Sequence, residues 1–415
     1  MPRYDQLFQE IVHTLKEDYA GFVMCQDHHD PRPYVHTIGT AFMQKTLNED
    51  LFFRQVNQYL AETTDRNLRF QRRPDSDYQP FTNGFFTRRT GAVLTISEVR
   101  EEDRLQPKDE IVAINGQPLS FYTETLNKKI FYAEEKERQL WTGFLKMADR
   151  ISVRRNGQIH ELTLRRFSKR EIVKTNTFAI EEGCAVLWIE RIDETLEALV
   201  TAHQAALAEA QKVILDLRHC EEGWESSMLC LLPYILDHPM SIAEVMEGQG
   251  LLTHYTEKNC RRRIEQLEAI KSDPQLEPMI SEMIEELKAK AGLGWILETE
   301  ADWGVDEEEL IHPVNAERRT VVILDFLTAG AAEELAELAS QSARCTLVGR
   351  MSSGRYQTCN LISVVFDDQF QLDYPISRCK AWNKDQPRGV RCDIELAWTP
   401  QEWDEDLLME AAKTV

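Results

Sequence analysis

The spacing of hydrophobic residues changes along the chain, and each change predicts a different kind of element. From residue 4 to about 75 apolar residues recur every three or four positions, which is typical of amphipathic helices. In YDQLFQEIVHTL the residues of one helical face are Leu7, Ile11, Val12 and Leu15. From about 80 to 167 apolar and polar residues alternate, which favours strands. Within that region Asn156-Gly157 separates two alternating runs and predicts a tight hairpin turn.

The remainder of the chain has the pattern of an α/β sheet. CAVLWIERI, a long amphipathic segment and KVILDLR follow one another as strand, helix and strand, which implies a right-handed crossover between parallel strands. Residues from about 255 to 292 are highly charged and predict two helices broken at SDPQLEP, an insertion after which the sheet resumes with RTVVILDF. We therefore predict a helical domain over 1–78, a β domain over 79–168 and an α/β core over 169–415.

Charge and cysteine content narrow the class of protein. A formal net charge of −22 argues against binding to nucleic acid or to an anionic membrane, because both surfaces repel an acidic protein. The sequence contains neither a signal-peptide pattern nor an apolar run long enough to span a bilayer. Nine cysteines without a CxxC pair are typical of a protein whose thiols stay reduced. We therefore expect a soluble, cytoplasmic protein.

One polar stretch, CQDHHDPRPYVH, collects residue types that zinc sites use. Its members are Cys25, Asp27, His28, His29, Asp30 and His36. Adjacent histidines point apart on most backbones, and the stretch has no pair of histidines at helical i, i+4 spacing with a clear third ligand. The sequence therefore predicts a solvated loop here, with no metal and no cofactor.

Two loops follow apolar strands and carry the candidate chemistry. DFLTAGAAEE is a strand-to-helix turn of the kind that often presents a nucleophile, yet its one hydroxyl belongs to Thr328. DLRHCEEGW follows the strand KVIL. Since ligands bind beyond the carboxyl ends of strands in an open α/β sheet, we expect the two loops to meet.

An ordered series of motifs resembles the tail-specific (C-terminal-processing) serine peptidase family, which includes the tricorn core and retinoid-binding repeats. The motifs are LQPKDEIVAINGQPL, similar to part of a PDZ domain, then AVLWIERI, VILDLR, TAGAAE, LVGRMSSG and VRCDIELAWTP. KEDYAGF and YTEKNCRRRIEQL are similar to a branch of the family from Gram-positive bacteria. The resemblance covers nearly the whole chain. It implies an α/β fold with a crotonase-like core, a helical N-terminal region, a PDZ-like β domain and a helical insertion.

The resemblance fails at the positions where the family performs its chemistry. Gly330 stands at the position of the nucleophilic serine and has no side chain that could attack a carbonyl. Asn67 stands where one branch has a histidine base, and Arg355 stands where another has a lysine base. Neither side chain accepts a proton near neutral pH. We therefore predict that the chain is a degenerate, catalytically inactive member, although the fold of a peptidase is retained.

The loop that forms the oxyanion site in the family has also changed. The positions that the resemblance assigns to it are Cys220, Glu222, Gly223 and Ala331. A carboxylate at position 222 opposes the negative charge that develops during acyl transfer.

A displaced nucleophile is the alternative. The serines that lie in loops near strand ends are Ser226, Ser227, Ser352 and Ser353. The sequence indicates no histidine or lysine base near them, because His219 is more simply interpreted as a polar loop residue.

If catalysis is absent, binding of a peptide or protein chain is the favoured function. PDZ domains bind extended chains at a sheet edge and hold a terminal carboxylate beside a glycine-containing loop. In TNGFFTRR the candidate residues are Gly84, Phe85, Arg88 and Arg89. The alternative is that this β domain only packs, with Phe85 and Phe86 beginning a core strand. Binding of a small apolar ligand is a third possibility, which rests on the retinoid-binding relatives alone.

Overall fold

The computed structural model divides the chain into two compact units. The described residues are 4–25, 29–63, 65–73, 81–125, 136–168, 173–221, 223–247, 249–270, 277–299, 302, 310–381 and 389–415. Unit 1 comprises residues 1–171, 255–292 and 360–376, and unit 2 comprises residues 172–254, 293–359 and 377–415. The chain therefore leaves and re-enters each unit, whereas the sequence predicts three consecutive domains.

The helices of unit 1 include the pair predicted within residues 255–292. They are α1 (Tyr4–Asp18), α2 (Phe22–Cys25), α3 (Arg32–Met43), α4 (Glu49–Ala61), α5 (Leu119–Thr125), α6 (Thr142–Lys146), α12 (Glu257–Ile270) and α13 (Glu277–Lys290), with a short 3-10 turn at Lys136–Arg138. Asn48 caps α4, since its side chain accepts a hydrogen bond from the backbone N–H of Leu51. Most of SDPQLEP lies outside the described residues, but the two helices flank it as predicted.

The strands of unit 1 form the predicted β region and a second, smaller group. They are β1 (Arg69–Arg72), β2 (Phe81–Thr82), β3 (Phe85–Thr90), β4 (Val93–Val99), β5 (Glu110–Ile114), β6 (Gln117–Pro118), β7 (Arg150–Arg155), β8 (Gln158–Thr163) and β9 (Phe167–Ser168). One sheet has the order β3-β4-β5-β7-β8, with β6 paired to β5. Asn156 and Gly157 have positive φ angles of 49° and 79° and join β7 to β8, which confirms the hairpin turn.

Unit 2 contains the predicted α/β sheet. Its helices are α7 (Glu194–Ala202), α8 (Gln204–Glu209), α9 (Glu225–Met228), α10 (Leu232–Ile235), α11 (Ile242–Val245), α14 (Ala331–Ser340) and α15 (Leu407–Thr414), with 3-10 turns at Leu229–Leu231 and Pro400–Trp403. Its strands are β10 (Thr177–Glu181), β11 (Cys184–Trp188), β12 (Lys212–Asp216), β13 (Met240–Ser241), β15 (Gly294–Glu298), β16 (Leu310–Ile311), β17 (Thr320–Leu324), β18 (Cys345–Gly349) and β21 (Ile394–Glu395). Three strands pass from one unit into the other: β14 (Leu251–Tyr255), β19 (Thr358–Phe366) and β20 (Phe370–Cys379).

The central sheet of unit 2 has the order β10-β11-β12-β17-β18-β21 and is parallel except at β10. Alternate residues of each strand enter different cores, as Val322 packs with α14 on one face and Val321 with α15 on the other. A parallel sheet covered on both faces requires such continuously apolar strands. The predicted strand-helix-strand crossover is therefore confirmed.

A buried polar network explains why residues 255–292 belong to unit 1 with the N-terminal helices. Asp18, at the end of α1, is 1% exposed. Its carboxylate accepts a hydrogen bond from Thr256 Oγ1 at 3.0 Å and pairs with Arg262 Nη1 at 3.1 Å. Asn259 donates to the Asp18 carbonyl oxygen, and Tyr374 donates to Asn259. The charged face of α12 thus contacts α1 and β20, although the sequence pattern predicts that residues 255–292 are an insertion.

The CQDHHDPRPYVH segment is less exposed than its sequence predicts. His29 is buried, its ring stacks on Tyr59 with centroids 3.9 Å apart, and its Nε2 lies 2.9 Å from the Tyr59 carbonyl oxygen. The prediction of a solvated loop is therefore wrong at His29, because the ring stacks in the core and its Nε2 has a carbonyl partner there. Asp27 and His28 lie outside the described residues. Among the residues that the structure does describe, no group of three metal-ligating side chains converges.

We predict that Asp18→Ala lowers the free energy of unfolding by about 3 kcal/mol, because it leaves the Arg262 guanidinium partly buried without its carboxylate. Urea denaturation followed by circular dichroism measures the change. The matched control is Glu17→Ala, since Glu17 is the exposed neighbour on the same helix. Equal stability of the two variants would show that the network does not hold α12.

Candidate functional site

The strand-to-helix turn after β17 is formed as the sequence predicts. Residues 325–330 connect β17 to α14, and Gly330 is the N-cap residue of that helix, with φ 59° and ψ −129°. Such a positive φ suits glycine and strains residues that carry a Cβ. No described atom lies within 4 Å of the position that a Gly330 Cβ would take. The turn therefore presents an empty position where the resemblance places a nucleophile.

The two candidate loops meet, as expected for loops at the carboxyl ends of neighbouring strands. Thr328 Oγ1 donates to the carbonyl oxygen of Leu217 at 2.9 Å, and the N–H of Ala329 donates to the carbonyl oxygen of Cys220 at 2.9 Å. Thr328 is fully buried. The one hydroxyl of the turn therefore joins the loops and is not available for attack.

The loop after β12 fixes the positions that the resemblance assigns to an oxyanion site. Cys220 is fully buried, and Ala331 begins α14. A Cβ on Gly223 would lie 2.6 Å from Ile192 Cβ, so glycine is needed for this close approach. The N–H of Trp224 donates to the Ile192 carbonyl oxygen at 2.8 Å. Glu222 lies outside the described residues, so its predicted effect stays a prediction.

Glu333 is the residue that organises the site, and the functional interpretation of the sequence missed it. Its carboxylate is completely buried and accepts hydrogen bonds from the backbone N–H groups of four residues and from two hydroxyls. The backbone donors are Gly330, Gly354, Arg355 and Tyr356, and the hydroxyl donors are Ser352 and Ser353. Burial raises the pKa of Glu333, while the hydrogen bonds from residues 352 and 354–356 oppose that shift. One side chain thus fastens the loop after β18 to the start of α14.

This arrangement determines what the alternative serines can do. Ser352 is fully buried; its Oγ donates to Glu333 at 2.6 Å and accepts from the N–H of Val390 at 2.7 Å. Ser353 is half-buried, and its Oγ donates to Glu333 at 3.2 Å. Ser226 is exposed and Ser227 is buried on α9.

The positions that the resemblance assigns to a base lie in different units. Arg355 is in unit 2, where its backbone N–H donates to Glu333 at 2.8 Å. Asn67 is in unit 1 and is buried in a turn in which its N–H donates to Asp65 at 2.9 Å. Tyr19 donates to the same carboxylate at 2.7 Å. Asn67 therefore belongs to a rigid polar turn.

Other buried charges support the floor of the site. Arg350 is 8% exposed and pairs with Asp325 at 3.1 Å and with Glu402. Arg218 pairs with Asp216 and Asp406 at 2.6 and 2.7 Å. These pairs hold the ends of β12, β17 and β18.

Burial makes three of the cysteines unsuitable as substitute nucleophiles. All nine are free. Burial raises the pKa of Cys345 to about 11 and the pKa values of Cys230 and Cys392 to about 12. A thiol with such a pKa is protonated at neutral pH and reacts slowly.

The candidate peptide-binding residues of the β domain have internal partners. Gly84 has φ 79°, and its carbonyl oxygen accepts hydrogen bonds from the N–H groups of residues 100–102. Phe85 is buried, and Arg89 Nη1 donates to Gln139 at 2.5 Å with its guanidinium beside Trp141. Arg88 lies on β3 opposite Thr95. Phe86 is 41% exposed with Arg100 over its ring. Binding of a peptide by these residues stays a prediction.

Comparison with solved structures shows what this fold resembles. The chain aligns with mature CPAF complexed with lactacystin at 11% identity and a TM-score of 0.62, covering 99% of this chain and 97% of that one. A serine-to-alanine mutant of CPAF aligns at 10% identity with a TM-score of 0.63 and the same coverage. The photosystem II C-terminal processing protease aligns at 13% identity and a TM-score of 0.45, covering 95% and 94% of the two chains.

The structural neighbours are C-terminal processing, or tail-specific, proteases, so the resemblance inferred from the sequence is confirmed at the level of the fold. No protein-family model and no curated protein sequence matches the chain. No helix among the described residues is long and apolar enough to cross a membrane.

We predict that Glu333→Gln lowers the free energy of unfolding by about 2–3 kcal/mol, because the amide directs N–H groups at backbone donors that a carboxylate satisfies. Urea denaturation at pH 7 measures this. Glu337→Gln, one turn later on α14, is the matched control. A loss no larger than that of the control would contradict the organising role of Glu333.

Proposed function

We propose that the chain is a catalytically inactive member of the tail-specific peptidase family that binds a peptide or protein chain without cleaving it. The observation that carries this proposal is the geometry at Gly330. The turn keeps its sharp backbone and the open space in front of it, while the atom that would attack a carbonyl is missing. Acyl transfer through this turn has no first step without that atom.

The surroundings of Gly330 support inactivity. Ser352 and Ser353 donate to a carboxylate that already accepts four backbone N–H groups. Both hydroxyls are thus held in fixed contacts below the turn, and Ser352 is fully buried, which keeps it from a substrate. Relocation of the nucleophile to Ser226 is the alternative, because that serine is exposed at the start of α9. Covalent labelling of serine distinguishes an inactive chain from one with a relocated nucleophile.

Binding of a polypeptide is supported by the fixed conformation of the turn at Gly330. Hydrogen bonds from Thr328, Ala329 and Gly330 keep it in place. We infer that an extended chain passes over Gly330, as an uncut substrate would, because the position in front of this residue is open. The structural neighbours are proteases, which act on polypeptides, and this makes a polypeptide the favoured ligand class.

We predict that a fluorophosphonate probe forms no adduct with the purified chain, because position 330 supplies no hydroxyl and the hydroxyls of Ser352 and Ser353 are engaged with the buried carboxylate of Glu333. Intact mass spectrometry with peptide mapping measures the result, with an active serine peptidase as the positive control. A stoichiometric adduct on one serine, such as Ser226 or Ser353, would establish the displaced-nucleophile alternative instead.

We predict that Gly330→Ser does not create activity towards casein, because Asn67 and Arg355 supply no base. The matched control is Gly330→Ala, which imposes the same backbone strain without a hydroxyl. Both variants should lose about 1–2 kcal/mol of unfolding free energy, since a Cβ at this φ is strained but meets no neighbour. Cleavage by the serine variant alone would show that a base is present.

Peptide binding has its own test at the same position. We predict that Gly330→Leu weakens binding of fluorescein-labelled, unfolded casein at least fivefold relative to Gly330→Ala, because the longer side chain fills the space in front of the turn. Fluorescence anisotropy measures the dissociation constants. Equal affinities in the two variants would exclude this turn as part of the binding site.

A further inference from the structure

An exposed apolar stripe runs along α3 in unit 1. Tyr34, Ile38 and Ala41 of this helix are buried in the core, whereas other apolar residues face outward. The outward residues are Val35, Gly39, Phe42 and Met43, of which Phe42 is 62% exposed and Met43 is 80% exposed. Large apolar side chains grouped in this way on a surface mark a site of interaction.

A groove of about 520 Å³ lies beside this stripe, between α1 and α3. Its buried floor contains Phe8 and Ile38. Val35 and Gly39 form the apolar wall on α3. The opposite wall, on α1, is polar and acidic, with Asp5 and Glu10 as its charged residues. One side of the groove thus suits an apolar surface and the other suits cations.

Gly39 is the second observation that points to a ligand. A glycine inside a helix costs about 1 kcal/mol relative to alanine. No described atom lies within 4 Å of the position of a Gly39 Cβ, so packing against the described part of the chain does not require the glycine. Its absence of a side chain leaves a depression between Val35 and Phe42.

The spacing of the stripe selects the kind of partner. Positions 35, 39, 42 and 43 follow helical i, i+4, i+7 and i+8 spacing over about 12 Å of α3. Two helices pack by fitting side chains of one into depressions of the other. Lysine or arginine on the flank of a partner helix would face Asp5 and Glu10.

We propose that the groove between α1 and α3 binds a basic amphipathic helix of another protein. An apolar side chain of that helix fills the depression at Gly39, and its cationic flank lies against the acidic wall. The formal net charge of −22 favours the approach of such a partner. This site is independent of the turn at Gly330, so the failure of either proposal leaves the other intact.

The test uses a labelled 17-residue peptide with leucines at helical i, i+3, i+4, i+7 spacing and lysines on both flanks. Fluorescence anisotropy with the full chain should give saturable one-to-one binding. Gly39→Leu should raise the dissociation constant at least tenfold, because the new side chain fills the depression. Gly143→Leu is the matched control, since Gly143 is a helical glycine on α6 with equally open surroundings. The dissociation constant of that control should stay within twofold of the value for the original chain.

The charge requirement is tested separately. The double variant Asp5→Lys, Glu10→Lys should raise the dissociation constant at least tenfold. The control double variant Glu124→Lys, Glu161→Lys changes the net charge by the same amount at exposed positions elsewhere. It should change the dissociation constant less than threefold. Circular dichroism confirms that each variant is folded.

Two outcomes would overturn the proposal. Equal effects of Gly39→Leu and Gly143→Leu would show that the peptide binds elsewhere or only through net charge. A dimer in sedimentation velocity that Gly39→Leu dissociates would show that a second copy of this chain occupies the groove.

Discussion

The site depends on one buried carboxylate. Glu333 joins the first turn of α14 to the loop after β18 through hydrogen bonds that originate from Gly330 and from residues 352–356. A carboxylate can be buried at tolerable cost only where such donors replace water. The loop after β18 supplies most of those donors, and its contacts with Glu333 hold the turn in place without a side chain at position 330.

The conformation of the turn therefore does not depend on the side chain at position 330. The contacts that hold the turn include those of Thr328, Ala329 and Glu333 and the ion pair of Asp325 with Arg350, and none of them requires a side chain at position 330. A serine at φ 59° would add strain of about 1–2 kcal/mol, which an active enzyme accepts because strain exposes its nucleophile. Glycine removes that strain. Glycine is therefore the residue that the backbone conformation at position 330 favours.

The sequence predicted those parts of the structure that local patterns determine. Asn156-Gly157 encodes its hairpin in two residues, and the apolar strands around Val213 and Val322 identify a sheet buried on both faces. The meeting of the loops after β12 and β17 followed from strand direction. The role of Glu333 had a weak local signal, since a Glu three residues after an N-cap is a capping pattern.

What the sequence could not predict are contacts between distant segments. The charges of α12 look like a solvated face, yet Arg262 binds Asp18, which lies 244 residues earlier in the chain. His29 looks like part of a polar loop, yet it stacks on Tyr59. Buried polar groups must find partners, but periodicity does not say which ones. Charged residues and histidines therefore suggest surface positions in the sequence, although some of them are buried in the structure. The partner that makes burial possible comes from a distant segment and is visible only in the folded chain.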